Sequence, residues 1–255
     1  MIISSASNDQ IKKIIQLKEK AKVRKNEGSF IVEGIKMFKE APAEDVVKVY
    51  ISEQFFDQNK SELDGIDYQL VSDSVFKKIS DTVTPQGVLA IVKQKKYTIQ
   101  NLLDTMHEGK NCFVVLDRIQ DPGNLGTIIR TGEGAGINGI IMSSTTADVY
   151  NPKVIRSTMG SIYRVPFVIV EDLPEAIQKL KSAGVTTYAA HLKGGAYNKE
   201  EFSDKTALLI GNEANGLSDE VSAQADKLIK IPMQGKVESL NAAIATAILM
   251  YQVTT

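Results

Sequence analysis

The sequence predicts an α/β protein in two parts: a mostly parallel sheet with helices on both faces in the second half, preceded by a smaller α/β domain. Three observations carry this. Short apolar runs without strict alternation recur through the second half, each followed by a stretch of helical spacing, the pattern of strands buried in a parallel sheet. Residues 29–93 alternate short strands and helices of their own. Between the two, residues 94–110 are polar and carry no strand signal. The expected division is a first domain over 1–95, a linker over 96–110 and a second domain over 111–255. A chain of 255 residues suits one large domain or two modest ones.

In order, Ser7 opens Ser-x-x-Gln, a capping-box pattern, and Ile11, Ile14, Leu17 and Ala21 follow at helical spacing. The same segment holds Lys12, Lys13, Lys18, Lys20, Lys22, Arg24 and Lys25 against Asp9, Glu19 and Glu27. Such a run is either a solvated helix face or a patch that meets phosphates. "FIVEG" and "VVKVYIS" read as strands and "SDSVFKKIS" as a helix. "GVLAIVK" is a strand entered through the turn "TPQG". In the second half "CFVVL", "INGIIM", "VPFVIV", "TTYAA", "TALLIG" and "KLIKIP" read as strands. The helices between and after them are "NLGTIIRTGEGAG", behind a tight turn near Pro122, then "NPKVIRSTMGS", "LPEAIQKLKSAG", "GLSDEVSAQA" and "SLNAAIATAILMYQ".

Composition narrows the function classes. Hydrophobic residues are 43% and charged residues 24% of the chain, as in ordinary soluble globular proteins. The net charge of -1 means that any attraction to nucleic acid comes from a local patch. The single Cys112 excludes an internal disulfide and fits a reducing compartment. "MIISSASNDQ" lacks a basic-then-apolar signal pattern. The longest apolar run, "AAIATAILMY", falls short of the roughly 20 residues of a membrane span. A cytoplasmic protein with no membrane partner is expected. No spacing of His, Cys or carboxylates suggests a metal site, and His107 and Cys112 read as structural.

The glycine-rich stretch "DRIQDPGNLGTIIRTGEGAG" invites comparison with phosphate-binding loops and fails it. It lacks the Gly-Lys pair and spacing of a P-loop, and it lacks Gly-x-Gly-x-x-Gly between strand and helix start. Its later glycines read as a helix C-cap. What remains is Asn124 and Arg130 where a strand gives way to a helix, the end of an open α/β sheet at which ligands bind. Arg130 suits phosphate or carboxylate, or it pairs at the surface with Glu133. Two further strands run into small polar loops, "LLIGNEANGLS" and "IKIPMQGKVESLNAAIATAI". Alone, Glu213 reads as a helix-start acid and Ser239 as an N-cap. Three such loops on one sheet suggest a shared pocket.

Together, in this order, these three segments resemble the signature motifs of the SpoU (TrmH-like) branch of the SPOUT RNA methyltransferases, over most of residues 112–252. "KVRKNEGSFIVEGIKMFKEA" and "TPQGVLAIV" resemble that family's N-terminal substrate-binding domain, which is similar to an RNA-binding ribosomal-protein fold. The resemblance implies transfer of a methyl group from S-adenosylmethionine to a ribose 2′-hydroxyl in RNA, a trefoil knot in the C-terminal region, and a homodimer. General rules of chain topology argue against a knot, so that expectation rests on kinship. The implied catalytic set is Asn124, Arg130, Glu213, Ser239 and Asn241. The implied cofactor cradle is Ala189, Ala190 and His191, then Leu209, Ile210 and Gly211, then Ile231, Pro232 and Met233, with Leu240 beside it. RNA contacts are expected from Lys22, Arg24 and Lys25.

The sulfonium is already a good leaving group, so no metal is needed; orientation and the hydroxyl proton are the obstacles. Arg130 is poorly suited to act as a base and well suited to bind phosphate and stabilise a developing alkoxide. Asn124 would hold Arg130 or the ribose, and Glu213 would orient either one. Ser239 and Asn241 would position the ribose or cap the last helix. Ribosomal RNA is the expected substrate. The competing readings are a tRNA substrate and a non-catalytic RNA-binding relative.

Overall fold

The computed structural model describes residues 2–255. The chain divides into two compact units, residues 1–95 with 148–163, and residues 96–147 with 164–255. The first unit runs α1 (Asp9–Glu19), α2 (Ala21–Glu27), β1 (Ser29–Glu33), α3 (Ile35–Glu40), β2 (Val46–Ser52), α4 (Glu53–Gln58), β3 (Tyr68–Val71), α5 (Asp73–Ile79) and β4 (Val88–Lys93). Its strands lie in the order β1-β4-β2-β3, with β4 antiparallel to both neighbours and β2 parallel to β3. The helical spacing of the first segment becomes the buried face of α1. Ile11, Ile14 and Leu17 are fully buried, in one core with Ile31, Tyr50, Leu89 and Ile91. The cap sits one residue later than expected. Asn8 accepts the N–H of Gln10 at 2.9 Å, as good a cap as serine, while Ser7 bonds to Ser5.

The second unit begins with α6 (Ile99–Leu103), β5 (Asn111–Leu116), α7 (Pro122–Ala135) and β6 (Gly139–Ser143). The chain then supplies α8 (Pro152–Thr158) to the first unit. The second unit resumes with β7 (Phe167–Val170), α9 (Leu173–Ser182), β8 (Thr186–Ala196), β9 (Lys205–Ile210), α10 (Asp219–Ser222), β10 (Lys227–Lys230) and α11 (Ala242–Thr254). Its six strands are ordered β10-β8-β9-β5-β6-β7, and every pairing is parallel. One face buries Phe113, Val115, Ile141 and Leu209 under Leu173, Ile177 and Leu180 of α9. On β5 and β9 lies α11, itself packed against α7. The apolar strands without strict alternation are thus strands covered on both faces.

Two segments depart from the expected boundaries. Residues 96–110 are no linker: Thr98 caps α6, and Leu102 is fully buried in the second unit's core. Residues 148–163 belong to the first unit, where Tyr150 packs on the Phe30 ring with centroids 4.8 Å apart and Arg156 pairs with Asp81 at 3.1 Å. Periodicity marked 152–158 as a helix correctly; it carries no information on which sheet the helix packs against.

Candidate active site

The tight turn expected near Pro122 is the first turn of α7. The Asp121 carboxylate accepts the N–H of Asn124 at 2.8 Å, and Pro122 occupies the first helical position, where no N–H is needed. Gly136, at φ 70°, ends the helix in the left-handed region.

On that first turn Asn124 becomes the centre of a polar hub. Its Nδ2 donates to Glu213 Oε1 at 2.9 Å, and its Oδ1 accepts from Asn241 Nδ2 at 2.9 Å. Asn241 is also the cap of α11, its Oδ1 accepting the N–H groups of Ala243 and Ile244 at 2.9 and 3.2 Å. Glu213 further accepts the backbone N–H groups of Gln120 and Asp121, each at 3.3 Å. Partial desolvation pushes its carboxyl up. The hydrogen bonds from Asn124 and from the N–H groups of Glu213, Gln120 and Asp121 outweigh that and hold it below its ordinary value of 4.5.

The loop that presents Glu213 is stiff. A Cβ on Gly211 would lie 2.1 Å from the Gly216 carbonyl carbon and the Leu217 nitrogen, so only glycine fits. Asn212 and Gly216 exchange two backbone hydrogen bonds at 2.9 Å. The Asn212 side chain accepts from Ala214 and Asn215 and donates to the Arg118 carbonyl at 2.8 Å.

The stretches expected to cradle a cofactor share one edge. Ala189–His191, Leu209–Gly211 and Ile231–Met233 lie at or just beyond the paired ends of β8, β9 and β10, three parallel neighbours. The β8–β10 ladder breaks after Leu228 pairs with Ala189 and resumes with Ile229 opposite Gly195. The residues between form a bulge of β8, and within it His191 Nδ1 accepts the Lys193 N–H at 3.1 Å. A Cβ on Gly194 would sit 2.4 Å from the Ile229 nitrogen. Backbone at such strand ends offers unpaired donors and acceptors to a flat heterocycle and a ribose. The residues present fit a nucleoside cofactor.

Of the five nominated catalytic residues the hub unites Asn124, Glu213 and Asn241. Ser239 is exposed and outside it, and Asn241, not Ser239, caps α11. Arg130 is exposed, six residues further along α7, about 9 Å along the axis at 1.5 Å per residue. Glu133, its expected partner, pairs with Arg164 instead. Among the described residues Arg130 has no ion pair and no side-chain hydrogen bond, so its fork of donors is free. Cys112 is fully buried, and burial pushes its thiol up to about 12, which makes it inert at neutral pH. No group of three or more His, Cys, Asp or Glu could hold a metal ion, and no helix is long and apolar enough to cross a membrane, among the described residues.

The expected RNA contact Arg24 is corrected by the structure. Its side chain is 3% exposed. The guanidinium donates to Asp148 Oδ2 and to the carbonyls of Leu17 and Lys18. It closes the C-terminal end of α1 with four of its five N–H donors engaged, and its burial keeps it from a phosphate. Lys22 and Lys25 are exposed on either side of it.

Sequence reasoning missed Asp121 and Asn212. The dipeptide Asp-Pro at a helix start was the available signal for Asp121; nothing local marked Asn212.

A fully parallel sheet with glycine-dependent loops and a polar hub at one edge defines an α/β protein that binds its ligand at the strand ends. Residues 111–251 match the SpoU rRNA Methylase family, and residues 8–90 match the MRM3-like substrate binding domain. The chain belongs to the SpoU rRNA methylase family. It is 34% identical over 254 residues, 98% of this chain and 97% of the relative, to the Bacillus subtilis 23S rRNA (guanosine(2553)-2'-O)-methyltransferase RlmP. The AdoMet-bound rRNA methyltransferase from Sinorhizobium meliloti superposes with a TM-score of 0.85 at 32% identity, covering 99% of this chain and 97% of that one. The SpoU methyltransferase AviRb from Streptomyces viridochromogenes, in complex with AdoMet, gives 0.86 at 25% identity, with 97% of each chain covered. The kinship read from the three motifs is borne out. The chain is an S-adenosylmethionine-dependent RNA methyltransferase that acts on a ribose 2′-hydroxyl.

Proposed function

We propose that this enzyme works in the cytoplasm on the 23S ribosomal RNA of the large subunit, with Asn124, Glu213 and Asn241 building the floor of its active site. The observation that carries this is the hub itself: three polar side chains, from the first turn of α7, the loop after β9 and the cap of α11, joined at the edge where the cradle lies. A relative of known 23S specificity matching over nearly the whole length of both chains supports the choice of RNA, as does the substrate-binding domain.

In the reaction the ribose 2′-oxygen would form a bond to the methyl carbon as the carbon–sulfur bond breaks with its electron pair remaining on sulfur, and the hydroxyl proton would pass to solvent water. S-adenosylmethionine supplies the activated methyl group. Ala189–His191, Leu209–Gly211, Ile231–Met233 and Leu240 would hold it, largely through backbone. Glu213, with a depressed pKa and its lone pairs already engaged, is a weak base and a strong anchor; its task is to fix the Asn124 amide. Asn124 then has a defined orientation toward the ribose. The free Arg130 binds the RNA phosphate and stabilises charge developing on the 2′-oxygen. Ser239 lines the approach from the loop before α11.

The working form in this reading is a homodimer. Ile244 and Tyr251 of α11 are 51% and 46% exposed, a poor arrangement for a helix facing water and a good one for an interface. The trefoil knot belongs to the same reading and rests on kinship.

The test is a map of 2′-O-methylation across total RNA from cells with and without the gene. A single ribose in 23S RNA that loses its methyl group is the expected result. A lost methyl group in tRNA would replace the substrate, and no change in any RNA would contradict the function.

A further inference from the structure

We propose that Arg118 is a second RNA-binding guanidinium of this site, gripping a phosphate close to the methylated ribose; the proposal rests on the reading of RNA as the substrate. Arg118 lies two residues beyond the end of β5 and has φ 59°. Among the described residues only Met159 shares a positive φ without being glycine. An L side chain is disfavoured there and glycine is not. Retention of a long charged residue where glycine is the easy choice points to a use for the side chain.

The backbone is locked from several directions. The Arg118 N–H donates to Ser143 Oγ at 3.0 Å, and its carbonyl accepts from Asn212 Nδ2 at 2.8 Å and Gln120 Nε2 at 3.4 Å. Asn212 Nδ2 also reaches Glu213 Oε2 at 3.5 Å. Arg118 is therefore mounted on the same frame as the hub.

The side chain is held by one edge only. Nε donates to Asp117 Oδ1 at 3.0 Å, and one terminal nitrogen donates to Asp117 Oδ2 at 3.4 Å. Asp117 is buried and its Oδ2 is fixed in turn by the Ser218 N–H at 2.7 Å. The Arg118 side chain is 40% exposed. Two of its five N–H donors face Asp117; three are left on the outer edge of the fork. A guanidinium braced by a buried carboxylate and open on the other side is pre-oriented for a second anion, and the anion RNA offers next to every ribose is phosphate.

A purely structural role, neutralising Asp117, makes different predictions. Arg118→Gly suits the backbone and removes only the side chain. Asp117→Asn combined with Arg118→Gly keeps an acceptor for Ser218 and removes the charge that would otherwise be left unpaired. The probe is total RNA from cells lacking the protein, incubated with methyl-labelled S-adenosylmethionine; thermal unfolding and calorimetry of cofactor binding run in parallel. Arg118→Gly should bind cofactor as the wild type does, with KM for RNA raised about ten-fold, the loss of one hydrogen-bonded charge. Its binding should be less salt-dependent by roughly 0.7 in slope, one phosphate contact. Arg118→Lys should recover part of the affinity, and the double variant should recover none. An unchanged KM and salt slope in Arg118→Gly, or restored RNA affinity in the double variant, would overturn the proposal and leave the function standing. Wild-type protein that labels no RNA would overturn the function and the proposal together.

Discussion

The basic turn of the first unit and the strand-end loops of the second present the same problem in sequence: a few polar residues of ambiguous purpose. Folding resolves them in opposite directions. Arg24, set among lysines as if to meet RNA, is spent inside the protein on Asp148 and two carbonyls. Asn124, Glu213 and Asn241, each explicable alone as a helix-end residue, converge on one another at a sheet edge. The lesson is that a charge acquires its function from what remains unsatisfied around it. Arg24 is buried with four of its five donors engaged; Arg130 is exposed with all five free. This contrast between a satisfied and an unsatisfied arginine can be broken by experiment.

The largest effect is expected at Arg130. Arg130→Ala should fold and bind cofactor as the wild type does, yet lose about 10²–10³ in single-turnover methyl transfer at saturating RNA, the usual consequence of removing one donor to a developing oxyanion. Arg130→Lys should recover little, because lysine keeps the charge without the fork. A rate restored to wild type at saturating RNA would reduce Arg130 to a phosphate anchor.

At Arg24 the loss should fall on stability instead. Arg24→Ala leaves Asp148 without its partner and uncaps two carbonyls at the end of α1, at a cost of about 3 kcal/mol. Lys22→Ala in the same turn should change stability by no more than about 0.5 kcal/mol. Urea unfolding of the two variants compares them directly, and equal stabilities would mean that Arg24 is not structural.

Glu213 comes next. Glu213→Gln keeps one acceptor for Asn124 and loses the charge. Its stability cost is about 1 kcal/mol, but a loosened Asn124 should lower turnover roughly ten- to a hundred-fold. The pH dependence follows from the depressed pKa. The unfolded carboxyl binds its proton first as pH falls, so the stability difference between wild type and variant is flat above the ordinary carboxylate value. It shrinks below that, and is gone once pH passes through the lowered folded value. A difference that grows on acidification would contradict the hydrogen-bond network around Glu213.

Much of this was legible in the sequence because the physics involved is local or periodic. Ile11, Ile14 and Leu17 announced the buried face of α1, and the apolar runs announced the parallel sheet. The three polar loops could be placed on one sheet by their positions after strands. Other features depend on contacts that have no sequence period. The burial of Arg24 needs Asp148, which lies beyond the intervening sheet strands in the chain. The bulge of β8 over residues 190–194 needs the close approach of Gly194 to Ile229. The left-handed backbone of Arg118 contradicts its own residue preference and is held by Ser143 and Asn212. Each is a case of tertiary contacts overriding local propensity.

The smallest effect, and the one that sharpens the comparison most, concerns the lysines left over once Arg24 is set aside. Lys22 and Lys25 are exposed, and the basic turn retains a role in binding only if these two meet phosphate. Exposed cations that meet RNA release counterions from it, so their removal should show in the salt dependence of binding more than in the affinity at any one salt concentration. Changing Lys22 and Lys25 together to Ala, with Arg24 kept so that the fold is intact, should lower the slope of log affinity against log salt by roughly 0.7 for each lysine. Cofactor affinity and turnover at saturating RNA should be unchanged, since neither residue belongs to the second unit. A slope equal to that of the wild type would make the whole turn a solvated surface organised around one buried arginine. RNA recognition would then have to be sought elsewhere on the first unit.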